Sequence, residues 1–175
     1  MAEYQYLLHI TVLGSENVGK KTFAKCRFLD YFSDLDYMLT MGVEISSKTI
    51  EIDNTIVKLA FHTFSDKQYR WDKTREYHLG ILVRHSEGAV ILYDITNSSS
   101  LKRIPQWIQI VKDNAGDTPI LLVGTKLDLE QQREVTKEQI EVIKNKHTIA
   151  SSMEISAKTG ENIEKMIMVL IRMIL

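Results

Sequence analysis

The chain has 175 residues, 44% of them hydrophobic and 26% charged, which suits one compact domain spanning 1–175 with a real core. A formal net charge of −1 gives no general push toward nucleic acid or an anionic membrane. The single cysteine, Cys26, excludes an internal disulfide, and without a signal-peptide pattern the expected home is a reducing cytoplasm.

Tyr6 to Leu13 is a short apolar run, read as a buried strand, and Lys21 to Tyr31 reads as a helix. Ile45 to Ile52 and Thr55 to Thr63 read as two strands joined at Asp53-Asn54, a turn-forming pair. Ala89 to Ile95 and Ile120 to Val123 are further buried strands with helical segments between them. Leu101, Ile104, Ile108 and Val111 share one helical face, with Pro105 marking a helix start or a kink. Thr136 to Gln139 fits a capping box, and Ile163, Met166, Ile167, Leu170 and Ile174 stripe the last helix. The run Met166 to Ile171 is expected to be buried in the core and not to form a dimer face. Strands alternating with helices predict an α/β fold, a mostly parallel sheet covered on both faces with one antiparallel edge strand. No apolar run reaches the ~18 residues of a membrane span. The final Arg172-Met173-Ile174-Leu175 holds no prenylatable cysteine, so no lipid anchor is visible: either the protein is not lipidated or a further tail carries the signal.

Three motifs carry chemistry. Gly14-Ser15-Glu16-Asn17-Val18-Gly19-Lys20 follows the first strand and opens a helix. Backbone N–H groups of such a loop cradle phosphate oxygens, and Lys20 adds positive charge. Thr125-Lys126-Leu127-Asp128 follows a later strand. A carboxylate there can accept both hydrogen bonds from guanine N1 and N2, a donor pair adenine lacks, while Lys126 lies along the base. Ser156-Ala157-Lys158 completes the set: a backbone N–H can donate to guanine O6, and Lys158 can pack on the base. Each of the last two alone is compatible with an ordinary strand-end loop.

Together these residues resemble the small GTPase superfamily, and within it the Rab branch, over nearly the whole chain. Thr40-Met41-Gly42-Val43-Glu44, Lys48-Thr49-Ile50-Glu51 and Tyr93-Asp94-Ile95-Thr96 match further family words. So do Trp107-Ile108, Arg133-Glu134-Val135-Thr136 and Gly160-Glu161-Asn162-Ile163. The resemblance implies a P-loop G domain with a six-stranded sheet and about five helices. It also implies GTP or GDP with magnesium as ligands, and effector or regulator proteins as partners through switch regions 32–45 and 63–88. It assigns phosphate contacts to Ser15, Glu16, Asn17, Val18, Gly19, Lys20, Lys21 and Thr22. Guanine contacts fall to Thr125, Lys126, Asp128, Ser156, Ala157 and Lys158, and the first-switch threonine is Thr40.

The departures from the family are chemical. A P-loop normally continues with a Ser or Thr hydroxyl on magnesium, and Lys21 stands there instead. Two registers are open. Counted from Gly14, Lys21 replaces the ligand; counted back from Cys26-Arg27-Phe28, one residue is inserted before Lys21 and Thr22 is the ligand. The first is adopted as the expectation. An ammonium about 4 Å from a phosphate charge is worth ~4 kcal/mol at an effective dielectric of ~20, so Lys21 can stand in part for the metal. The ungapped match sets His62-Thr63-Phe64-Ser65-Asp66-Lys67 against the family's Trp-Asp-Thr-Ala-Gly-Gln. Thr63 then replaces a magnesium-holding aspartate, Asp66 a glycine beside the γ-phosphate, and Lys67 the water-orienting glutamine. Trp71-Asp72 is rejected as the match because it would lengthen the third strand. Thr22 and Thr40 remain the metal-ligand candidates, and magnesium itself is in question. Phe32 is a candidate for stacking on the guanine edge; His9 and His62 read as structural, and Trp107 as a packing residue.

The expected function is guanine-nucleotide binding with very slow or absent intrinsic hydrolysis, as a switch or clamp for protein partners. The alternative is an interaction module that holds one nucleotide or none. A P-loop ATPase or kinase would have no use for Asp128, Lys126 and the Ser156 loop. A GTPase rescued by a partner that supplies an arginine and a water-orienting group stays open.

Overall fold

The structure, a computed structural model, describes residues 4–26, 28–32, 42–64 and 73–175, and of residues 31, 32 and 73–76 the backbone only. Seven strands form one sheet: β1 (Tyr6–Gly14), β2 (Asp30–Phe32), β3 (Val43–Ile52), β4 (Thr55–Phe64), β5 (Gly88–Asp94), β6 (Ile120–Thr125) and β7 (Ser151–Glu154). Their order is β2-β3-β4-β1-β5-β6-β7. Pairings from β4 through β1, β5 and β6 to β7 are parallel, whereas β3 runs antiparallel to both β4 and β2. The α-helices among the described residues are α1 (Lys20–Ala24), α2 (Lys73–Arg84), α3 (Ile104–Ala115), α4 (Lys137–His147) and α5 (Ile163–Ile174).

The central strands are buried on both faces, as parallel strands between helix layers must be; every residue of β5 is buried. Leu8, Ile10 and Val12 of β1 pack with Phe23 of α1 and with Ile163, Met166, Ile167 and Leu170 of α5 on one face. Leu79 of α2, Trp107 of α3 and Ile140 of α4 cover the other, with Leu13 and Ile91 beneath them. The apolar run in α5 is thus core, as its helical spacing requires. The β3–β4 hairpin turns on Asp53 and Asn54 at φ 50° and 62°, the paired left-handed backbone that a two-residue hairpin needs. Thr136 and Gln139 exchange both bonds of the capping box, Gln139 N–H to Thr136 Oγ1 at 3.2 Å and Thr136 N–H to Gln139 Oε1 at 2.8 Å. Pro105 sits in the first turn of α3, where its missing N–H costs no helix bond.

Three local expectations change. The helix expected from Lys21 to Tyr31 is five residues long: Lys25 leaves helical geometry at φ −104°, ψ 11°, and the chain re-enters the sheet as β2. Phe23 and Ala24 are buried under the sheet while Asp30 pairs with Ser47, so the segment gains a ladder in place of further helix. That short strand extends the six expected strands by one at the antiparallel edge. Leu101 lies in a 3₁₀ segment, Ser98–Arg103, ahead of α3 and not on its apolar face.

Leu170 is fully buried between α5 and β1. Leu170→Ala is expected to remove about 2–5 kcal/mol of stability through lost contacts and a residual cavity, read as a lower urea midpoint. A loss below ~1 kcal/mol would contradict this packing of α5.

Candidate functional site

At the carboxyl ends of β1, β6 and β7, where α/β folds place their ligands, three loops meet over one cavity of 780 Å³, within the range of small-molecule sites. The first loop leaves β1 at Gly14, φ 152°, where a Cβ would lie 2.6 Å from the Leu92 carbonyl oxygen, so only glycine fits. Asn17 takes a left-handed turn at φ 62° and Gly19 another at 92°. Lys20 is buried, and its ammonium donates to the carbonyl oxygens of Gly14 and Ser15, both at 2.7 Å. The lysine is thereby held beneath the loop it serves.

The start of α1 is regular. Phe23 N–H donates to Gly19 O at 2.8 Å and Lys25 N–H to Lys21 O at 3.1 Å. At the helix end Cys26 N–H turns back to Phe23 O at 3.2 Å. Lys21 follows Lys20 directly on a regular turn, and Thr22 is a further ~100° round. Both are exposed and both line the cavity, as do Glu16, Asn17 and Gly19. Val18 is buried in the core and contributes its backbone. A helix of five residues has a small macrodipole, which leaves phosphate attraction to the loop N–H groups and the lysines.

The two other loops are fastened to the first and to each other. The Thr125 hydroxyl, buried, lies 2.6 Å from Val18 O in the β1–α1 loop and 3.0 Å from Tyr93 O in β5, and its one proton serves these two carbonyls. Leu127 N–H donates to Ile155 O at 3.1 Å. Ser156 Oγ donates to Asp128 Oδ1 at 2.6 Å and accepts from Thr159 N–H at 3.1 Å, so the hydroxyl's direction is fixed and one carboxylate oxygen is aimed. Lys126, at φ 66°, lines the cavity with Ala157 and Lys158, and its ammonium pairs with Asp94 of β5. The Asp94 carboxyl feels burial pushing its pKa up, yet hydrogen bonds from Lys126 and Thr96 bring it below the ordinary carboxylate value.

The cavity's other corner differs in chemistry. Thr63 is 1% exposed, lines the cavity, and its hydroxyl has no hydrogen-bond partner among the described residues. Glu44 sits opposite Thr63 in the β3–β4 ladder and reaches Lys25 at 3.6 Å, both lining the same cavity beside Cys26. Burial raises the Cys26 thiol pKa above its ordinary value. Thr40, Lys67 and Asp66 lie outside the described residues, and of Phe32 only the backbone is described. Sequence reasoning missed Asp94, Lys25 and Glu44 as cavity-side groups. Asp94 stood inside a recognised word, and Glu44 could have been found from its register opposite Thr63.

His9 and His62, read as structural, pair with each other behind this corner, His9 Nδ1 lying 3.1 Å from His62 Nε2. Among the described residues no group of three or more His, Cys, Asp or Glu could hold a metal ion.

Fold and cavity define a P-loop α/β domain. A sequence model of the Ras family matches residues 9–175. The chain belongs to the Ras family and is Rab-like. It is 34% identical to the Ras-related protein Rab-1 of Theileria parva over 167 residues, 94% of this chain and 73% of that one. It is 33% identical to the Ras-related protein Rab-11B of Dictyostelium discoideum over 163 residues, 93% and 71% of the two chains. Against Rab-4 of Dictyostelium discoideum the figure is 34% over 171 residues, 95% and 78%.

His62 gives a pH test. Burial and then the neighbouring His9 lower its pKa, with Glu87 pulling the other way. Unfolded His62 takes a proton near pH 6.5, while the folded protein resists it. Stability is therefore full above about pH 6.5 and falls as the pH drops toward the folded-state value. The urea midpoint should decline between about pH 7 and pH 5.5, and His62→Gln should flatten that decline. An unchanged slope in the variant would contradict the burial of a neutral imidazole.

Proposed function

We propose that this chain binds GDP or GTP in the cavity beneath the first loop, and hydrolyses GTP very slowly or not at all. It then acts as a molecular switch or clamp for effector and regulator proteins through segments 32–45 and 63–88. The observation that carries this reading is the Thr125 hydroxyl on Val18 O together with the Ser156 hydroxyl on Asp128. The first bond ties the β6 loop to the phosphate-cradling loop; the second holds Asp128 beside Lys126, Ala157 and Lys158, its chain neighbours and those of Ser156, which line the same cavity as Lys20 and Lys21. In this reading the loop from Ser15 to Lys20 holds the phosphates. Asp128 reads guanine N1 and N2, Lys126 and Lys158 flank the base, and the Ser156–Lys158 backbone meets O6. Thr40 remains the first-switch candidate.

Magnesium is what family membership implies, and the donor chemistry here does not fit it. A small hard dication asks for oxygen ligands, with carboxylates and phosphates leading. Among the described residues this corner holds the Lys21 ammonium, the Thr22 and Thr63 hydroxyls, and a Glu44 carboxylate already facing Lys25. The regular start of α1 supports Lys21 at the place of the usual hydroxyl. Five lysines, Lys20, Lys21, Lys25, Lys126 and Lys158, line the cavity against Glu16 and Glu44, so cationic side chains supply the countercharge for phosphates.

Nucleotide released from the purified protein and identified by chromatography tests the reading. GDP or GTP is expected, retained after magnesium is stripped with chelator. Lys21→Ser should make retention depend on magnesium. An empty protein that takes up no guanine nucleotide would favour the interaction module, a reading that the internal pairing of Lys126 with Asp94 also accommodates. Full loss of nucleotide on chelation would overturn the role of Lys21.

Hydrolysis is a separate test. Intact relatives of this class turn over on the order of 10⁻⁴ s⁻¹ without an activator. With Lys67 and Asp66 matched in sequence to the family's glutamine and glycine, single-turnover hydrolysis should fall below that rate. Turnover at or above it without a partner would contradict the proposal.

A further inference from the structure

The Asp94 carboxylate does not line the cavity, yet it holds a residue that does. Its side chain is fixed from within β5 and the turn that follows. Thr96 N–H and Thr96 Oγ1 donate to Oδ1 at 2.8 and 2.7 Å, and the Asp94 backbone N–H donates to Ser100 Oγ at 3.0 Å. Oδ2 is left to face Lys126, whose ammonium it accepts. Asp94 is 4% exposed and stands beside Thr125 in the β5–β6 ladder, one residue before Lys126. A rigid, buried anion therefore anchors the far end of a long, flexible cation.

We propose that Asp94 is a positioning residue for the base of the bound nucleotide, acting through Lys126. The inference rests on the guanine-nucleotide reading of this cavity. Lysine has many rotamers and a strongly hydrated head group, so an unanchored Lys126 would turn its ammonium to water or to the phosphates. Anchored at Asp94, it lays its aliphatic stem along the cavity wall, an apolar strip on which a planar base can rest. The pairing also neutralises one lysine at the base end, leaving the excess of positive charge to Lys20 and Lys21 at the phosphate end. The left-handed backbone of Lys126 is an uncommon conformation for a non-glycine residue, one that persists where the surroundings over-determine it. The Asp94 bond is one such constraint, and the Leu127 N–H bond to Ile155 O is another.

The test is a double-mutant cycle on the full chain, with dissociation of a fluorescent ribose-labelled GDP as the readout. Asp94→Asn keeps the side chain's shape and an oxygen for the Thr96 donors, but removes the charge that Lys126 needs. Label should leave D94N about tenfold faster than the unaltered protein, the size expected for one charge-assisted bond. In a Lys126→Ala background, D94N should change the rate less than about twofold, because its effect passes through that lysine. Thermal melting of each nucleotide-free variant accompanies the kinetics. A rate for D94N within about twofold of the unaltered protein overturns the inference. So does the same tenfold loss in the K126A background, or a D94N protein that fails to fold, since either makes Asp94 scaffold. If the unaltered protein takes up no labelled GDP, the nucleotide reading itself falls and the inference with it. Uptake by the unaltered protein with an unaffected D94N variant sinks the inference alone.

Discussion

A single buried hydroxyl holds the candidate site together. Thr125 stands at the end of β6, and its proton serves the Val18 carbonyl of the phosphate loop and the Tyr93 carbonyl of the neighbouring strand. The three strand ends bring their loops near one another, but parallel strands alone do not set the separation of loop tips. The bond from Thr125 fixes that separation for the phosphate and base ends. Ser156 then fixes Asp128, and Leu127 N–H ties its loop to Ile155. A ligand that bridges both ends meets groups already in place, so little ordering of the loops remains to oppose binding.

Electrostatics divide the cavity. On one side the Lys126 ammonium is paired with Asp94, and the Asp128 carboxylate accepts the Ser156 hydroxyl. On the other side Lys20 is buried under the β1–α1 loop and Lys21 stands on the first turn of α1. The cavity's other corner holds the buried Thr63 hydroxyl and the Glu44–Lys25 pair.

The fold was legible in the sequence because its signals are local and strong: apolar runs in β1, β5 and β6, the Asp53-Asn54 turn, the Thr136 box and the α5 stripe. The three loops were legible as a set, since each follows a strand and the sheet order brings their strand ends together. The length of α1 was not. Helical spacing continues past Ala24, and only the competing ladder between Asp30 and Ser47 ends it. Nor was the corner. Glu44 meets Lys25 across an element boundary, and the Asp94–Lys126 pair spans 32 residues, so neither has a short-range signature. The choice between Lys21 and Thr22 was open in sequence, because it depends on where one extra residue is absorbed. The start of α1 is regular, with Phe23 N–H on Gly19 O and Lys25 N–H on Lys21 O, which is compatible with the register counted from Gly14.

The central claim is that the pinned Asp128 makes this cavity a guanine site. Titration calorimetry of nucleotide-stripped protein with GDP and with ADP tests it most directly. The account predicts GDP binding at least ~100-fold tighter than ADP, since a carboxylate aimed at a donor pair rejects a base that lacks it. Equal affinity for the two, or binding of neither, would contradict it.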